Sequence, residues 1–83
     1  MKFYYFSASW CAPCKAMKPI VQEYSQIEMI DVDTDEGSAL AGKFSVRGIP
    51  MLVAYDEVND KQMDQIIGAS SKPIVAKFME KNK

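Results

Sequence analysis

A small α/β domain is what the sequence predicts, with element order β-α-β-α-β-β-α and a four-stranded mixed sheet carrying helices on both faces. Three observations predict it. Residues 3–7 are aromatic at both alternating sets of positions, as suits a central strand covered on both sides. From Cys11 the period changes: Met17, Ile20, Val21 and Tyr24 fall at i, i+3, i+4 and i+7, the signature of an amphipathic helix. Later, two β-rich runs flank a turn at Asn59-Asp60, which reads as a hairpin following a parallel pair joined by a crossover helix.

In chain order, the strand at residues 3–7 gives way to a helix over residues 12–24. Pro19 lies inside that helix and should kink it, because proline removes one rung of the hydrogen-bond ladder. A second strand spans residues 27–32 and runs into Asp31, Asp33, Asp35 and Glu36. Carboxylates suit a helix start, where they face the positive end of the dipole. They are read as a solvated cap, since their spacing does not resemble a calcium loop. Leu40 and Phe44 mark a short helix. Strands follow over residues 51–55 and 62–67, and Ser71, Lys72 and Pro73 open a last helix whose inner stripe is Ile74, Val75, Phe78 and Met79. The six methionines are read as core filler. With no repeat, linker or low-complexity stretch, residues 1–83 form one expected domain.

Composition excludes several kinds of function. Of 83 residues, 48% are hydrophobic and 25% charged, which suits a folded globular chain rather than a disordered one. Ten basic and eleven acidic side chains leave a net charge of −1, so the basic footprint of a nucleic-acid binder is missing and no anionic membrane surface is expected as a partner. There is no histidine, which removes Ser-His and Cys-His catalytic pairs and His-ligated metal or haem sites. The two cysteines share one Cys-x-x-Cys and cannot make a four-cysteine site within the chain, so no metal is expected. As a structural disulfide they would close a loop too short to constrain the unfolded chain much. No segment reads as a secretory leader, and the longest apolar run, residues 49–55, is far short of the ~20 residues that span a bilayer. The expected location is a reducing cytoplasm, where a dithiol is usually catalytic or metal-binding.

The chemistry concentrates in Trp10-Cys11-Ala12-Pro13-Cys14-Lys15, where a strand ends and a helix begins. Two thiols three positions apart on a first helical turn can meet, form a disulfide and open again. They are unequal. Cys11, at the helix N-terminus, has unpaired backbone N–H groups and the dipole to stabilise its thiolate, whereas Cys14 lies one turn inward, where burial disfavours charge. A thiol with pKa about 8.5 is only ~3% ionised at pH 7, and one lowered to about 7 is half ionised. Pro13 stiffens the first turn and donates no N–H there. Cys11 is therefore expected to attack a substrate disulfide, and Cys14 to displace the product and close the Cys11–Cys14 bond. Lys15 and Lys18 are read as solvated surface, with at most a modest influence on thiolate charge.

These residues resemble the thioredoxin family. Trp-Cys-x-Pro-Cys-Lys is that family's active-site motif, with Ala12 where most members carry glycine; Pro19 falls at the family's spacing after the second cysteine. Arg47-Gly48-Ile49-Pro50 resembles the second signature, whose proline peptide is cis and faces the dithiol. Gly68-Ala69-Ser70 resembles the third substrate-facing loop. The resemblance implies a minimal thioredoxin fold and a protein-disulfide reductase. Its substrate-facing positions would be Trp10, Ala12, Pro13, Ile49, Pro50, Gly68 and Ala69. It also implies no bound cofactor, a monomer, protein disulfides as substrates, and electrons from a flavin- and NADPH-dependent reductase.

The departures are specific. The family's usual first strand and helix have no counterpart ahead of the first strand here. Tyr5 and Met29 stand where the family carries a buried aspartate and its lysine partner, and Ser7 replaces a usual aromatic. Losing both ions together is self-consistent, since either alone in a core would be costly. Two alternatives remain open at this level: a glutathione-dependent, glutaredoxin-like reductase, and a redox-independent partner subunit on the same fold. Trp10 and the lack of a Gly-Gly-x-x-Asp-type pattern near Gly68 speak against the first. A large exposed apolar patch would mark the second.

Overall fold

In the computed structural model, which describes residues 1–83, seven elements follow the expected order. They are β1 (Lys2–Ser7), α1 (Ala12–Val21), β2 (Ile27–Asp31), α2 (Asp35–Lys43), β3 (Met51–Asp56), β4 (Lys61–Ile67) and α3 (Lys72–Lys81). The sheet order is β2-β1-β3-β4. β1 pairs parallel with β2 in the register Tyr5↔Met29 and antiparallel with β3 in the register Tyr5↔Leu52. β3 and β4 form the antiparallel hairpin, with an irregularity between Ala54 and Tyr55.

Alternation along β1 sorts its aromatic side chains into two cores. Phe3 and Tyr5 point to the face covered by α1 and α3, where Met17, Val21, Val75, Phe78 and Met79 join Ile27, Leu52 and Ala54. Tyr4 and Phe6 point to the other face and pack with Phe44, Met51, Val53 and Tyr55 beneath α2. Phe3 meets Phe78 edge to face at 6.2 Å, and Phe44 meets Tyr55 at 5.0 Å. Buried aromatic pairs of this kind contribute beyond the area they cover. The central strand thus serves two cores at once.

The acidic run caps α2 as expected. The Thr34 hydroxyl accepts the Gly37 N–H at 2.9 Å, and Asp35 and Glu36 occupy the first turn. Residue 37 must be glycine, because a Cβ there would lie 1.8 Å from the Asp31 carbonyl oxygen. The chain crosses itself closely at that point.

Three expectations are corrected. The first helix stops at Val21 rather than 24: it runs through Pro19, and Tyr24 packs on the core from the turn that follows. Ile74 is not on the inner stripe of α3. It is half exposed at 52%, while Val75, Phe78 and Met79 are buried. Of the methionines, Met17, Met51 and Met79 fill the core, but Met1, Met29 and Met63 are exposed.

Candidate active site

Cys11 and Cys14 form a disulfide at the junction of β1 and α1, with their Cα atoms 5.3 Å apart. Cys11 is the N-cap residue of α1, in an extended conformation, and its sulfur accepts the Cys14 N–H at 3.3 Å. An unpaired donor of the first helical turn is therefore aimed at the Cys11 sulfur, an arrangement that favours negative charge there. Cys14 sits one turn inward. Both cysteines are buried and pack with Ala8 against Val32 and Ile49. Ala12 and Pro13, the first residues of α1, are exposed beside them.

Two loops close the site from the far side. The Ile49–Pro50 peptide is cis, as the resemblance implied, and the Ile49 carbonyl oxygen lies 4.0 Å from the Cys11 sulfur. Gly68 donates its N–H to the Pro50 carbonyl at 2.8 Å, which ties the Gly68-Ala69 segment to the Ile49-Pro50 segment. Gly68 adopts φ +92°, a conformation that suits glycine and strains other residues. Trp10 is 69% exposed, yet its indole N–H donates to the Asp33 carboxylate at 2.9 Å. The ring is thus held in place at the surface.

Beside this tryptophan opens a groove of about 390 Å³ lined by Trp10, Val32, Ala41, Val46, Arg47, Gly48 and Ile49. Its walls are mainly apolar, with the Arg47 guanidinium as the one ionised group. On the other flank lies a separate recess of about 310 Å³, lined by Ser7, Ala8, Ser9, Cys14, Lys15, Lys18, Met29, Ile30 and Asp31. Cys14 faces this recess.

Tyr5 is fully buried in the larger core, and its hydroxyl donates to the Cys14 carbonyl at 2.7 Å. Burial pushes its pKa up to about 12. Met29 stands opposite Tyr5 in the sheet and carries no charge, so no ion pair occupies this layer. No group of three or more His, Cys, Asp and Glu side chains is placed to hold a metal ion.

Of the positions the resemblance implies, Cys11 and Cys14 pack against Ile49, Trp10 lines one groove with Ile49, Ala12 and Pro13 follow Cys11 at the start of α1, and Gly68 is bonded to Pro50. The sequence did not identify Asp33 as the residue that fixes Trp10, nor Val32, Val46 and Arg47 as groove walls. The acidic run was visible, but which carboxylate turns toward the indole depends on how β2 ends.

The thioredoxin family model matches residues 3–81. The chain belongs to the thioredoxin family. It is 33% identical over 82 residues to thioredoxin 1 of Synechococcus elongatus, covering 93% of this chain and 75% of that protein. It is 30% identical to a thioredoxin of Staphylococcus saprophyticus, covering 77% of it. Among solved structures, the reduced thioredoxin of Schistosoma mansoni superposes with a TM-score of 0.80 at 28% identity, covering 98% of this chain and 77% of that one. Plasmodium falciparum thioredoxin gives 0.79 at 26% identity, covering 99% and 85%. With the Cys11–Cys14 pair in the active-site position, this member of the family is a thiol-disulfide oxidoreductase. No helix is long and apolar enough to cross a membrane.

Proposed function

We propose that the protein reduces protein disulfides, with Cys11 as the attacking thiol and Cys14 as the resolving thiol. The observation that carries this reading is the asymmetry of the two sulfurs: Cys11 caps α1 and accepts the Cys14 N–H, whereas Cys14 lies inside the helix. The Cys11 thiolate attacks one sulfur of the substrate disulfide, forming a mixed disulfide and releasing the other substrate sulfur as a thiolate. Cys14, once deprotonated, attacks the Cys11 sulfur, so that the Cys11–Cys14 bond forms and the second substrate thiolate leaves. Two electrons pass to the substrate, and the two sulfurs carry them without a prosthetic group.

An extended substrate segment would lie across Trp10, Ala12 and Pro13 on one side and Ile49, Pro50, Gly68 and Ala69 on the other. The exposed indole and the mainly apolar groove beside it suit such a segment. Resemblance to thioredoxins supports a flavin- and NADPH-dependent reductase as electron source, with the protein acting as a cytoplasmic monomer. The glutathione-dependent reading has less support, because Gly68 is followed by no acidic residue placed to hold a tripeptide.

Mass spectrometry of two variants tests the roles. Cys14→Ser should accumulate a mixed disulfide with substrate and Cys11→Ser should form none; trapping through Cys14 alone would reverse the assignment. Reduction assays driven by NADPH with thioredoxin reductase, or by glutathione, decide the electron source.

A further inference from the structure

The second half of the exchange needs a proton to leave Cys14, and the buried layer of Tyr5 and Met29 supplies no base to take it. Tyr5 carries a neutral hydroxyl at pH 7, and that hydroxyl donates to the Cys14 carbonyl rather than facing the sulfur as an acceptor. From β2, Met29 offers no charge. What Cys14 does face is the 310 Å³ recess with Ser7 of β1, Ser9, Lys15 and Lys18 of α1, and Asp31 of β2. Asp31 also lines this recess, and one oxygen of its carboxylate accepts the Asp33 N–H at 2.9 Å. Ile49, Pro50 and Leu52 bring no ionisable group from the β3 side. The recess and the Trp10 groove share no lining residue, so a segment lying in the groove leaves the recess open to water.

Lys18 is placed to act there. It stands at i+4 from Cys14, a spacing that puts two side chains about 5–6 Å apart at Cβ on one helix face. Helical side chains lean toward the N-terminus, so the Lys18 chain runs back over the turn that carries Cys14. The five ion pairs of the structure engage Lys2, Lys43, Lys72, Lys81 and Lys83, which leaves the Lys18 ammonium without a carboxylate partner.

We propose that Lys18 is a positioning residue for the resolving step: its ammonium, sharing the recess with Cys14, stabilises the Cys14 thiolate while water in the recess takes the proton. This rests on Cys14 being the resolving thiol. The thiolate then attacks the Cys11 sulfur, the Cys11–Cys14 bond forms, the bond to the substrate sulfur breaks, and the departing thiolate is protonated from solvent. Charge alone is asked of Lys18, so its effect should be modest and screened by salt.

The test uses stopped-flow reaction of the reduced protein with equimolar 4,4′-dithiodipyridine, whose uncharged thione leaves once on attack by Cys11 and again on resolution by Cys14. In Lys18→Met the second release at pH 7 should slow by about three- to tenfold, equivalent to about 0.7–1.4 kcal/mol. Its pH profile should move upward by about half to one unit, and the first release should stay within about twofold. Lys18→Arg should restore the second release, and Lys18→Glu should slow it further. Raising salt should narrow the gap between wild type and Lys18→Met. An unchanged second release in Lys18→Met, or an arginine variant as slow as the methionine one, would overturn the proposal. The Cys14→Ser trapping experiment reports on the thiol roles separately.

Discussion

Replacing Tyr5 by phenylalanine removes one oxygen from the centre of the larger core and leaves the ring in place. At pH 7 the loss is the 2.7 Å hydrogen bond to the Cys14 carbonyl, about 0.5–1.5 kcal/mol. At high pH the sign reverses. The folded protein holds the Tyr5 hydroxyl protonated up to about 12 because burial disfavours the phenolate, while an unfolded chain releases that proton near 10. Between those values the unfolded state binds fewer protons, so stability falls as pH rises. The contribution is intact below pH 10, has fallen by about 1.4 kcal/mol near pH 11, and by about 2.7 kcal/mol above pH 12. Tyr5→Phe has no such loss. Wild type should therefore be the more stable protein at pH 7 and the less stable one beyond about pH 11, with the two curves crossing in between.

Urea denaturation of the oxidised proteins, followed by far-ultraviolet circular dichroism at several pH values between 7 and 11.5, measures this directly. Every other ionisable group is common to both proteins, so the difference isolates Tyr5, and the closed disulfide keeps the thiols from titrating. A stability difference that stays constant across the range would mean that the hydroxyl ionises as freely as an exposed phenol. The placement of Tyr5 in a dry core beside Cys14 would then be wrong.

The same variant should keep most of its disulfide-reducing activity at pH 7, since the neutral hydroxyl is a donor to the Cys14 carbonyl and not a base; a hundredfold loss in insulin reduction with the fold intact would make Tyr5 a participant in proton transfer. On α3, Phe78→Ala should cost about 3–5 kcal/mol by emptying the space against Phe3, whereas the half-exposed Ile74→Ala should change stability by less than about 0.5 kcal/mol, both read from urea midpoints. Asp64 is held below the usual carboxylate range first by the Asn82 side-chain amide at 3.0 Å and further by the Lys81 ammonium at 3.2 Å. Its contribution is present above the ordinary aspartate pKa and is lost as pH falls through the lower folded value, so Asp64→Asn should flatten the acid limb of the stability profile.

How much could be read from the residues differs between elements for physical reasons. β1 was legible because an aromatic side chain at each successive position can only be buried if both faces are covered. The end of α1 was not, because Tyr24 keeps the helical period from a turn: periodicity reports where a side chain points and says nothing of the backbone that carries it. Ile74 misled for a related cause. It continues the apolar stripe of α3, but it lines an open groove between α3 and the edge strand β4 with Ile66 and Lys77 and is not part of the core. The dithiol, the Ile49-Pro50 loop and the Gly68 loop are each local patterns, and local patterns survive in sequence. The Trp10–Asp33 hydrogen bond joins residues 23 positions apart, and the recess at Cys14 is lined by residues from β1, α1 and β2 together, Ser7 and Met29 among them. Neither is visible until the strands are in register.

The arrangement also explains how a reactive dithiol can work in so small a protein without endangering its fold. The two large clusters sit on opposite faces of the sheet and contain neither cysteine; Cys11 and Cys14 belong to a third, small cluster with Ala8. Opening the disulfide therefore breaks no bond within either main core, and the dithiol cluster meets the smaller one through Val32 and Ile49. What joins the reactive turn to the larger core is Tyr5, whose ring lies within it and whose hydroxyl fixes the Cys14 carbonyl. A charged pair in that layer would have to remain paired to be tolerated. A neutral phenol needs only the one hydrogen bond that it already makes. Tyr5 thus holds the turn from inside the core, while the charge that the resolving step requires is left to the wet side of the helix, where Lys18 and solvent can supply it.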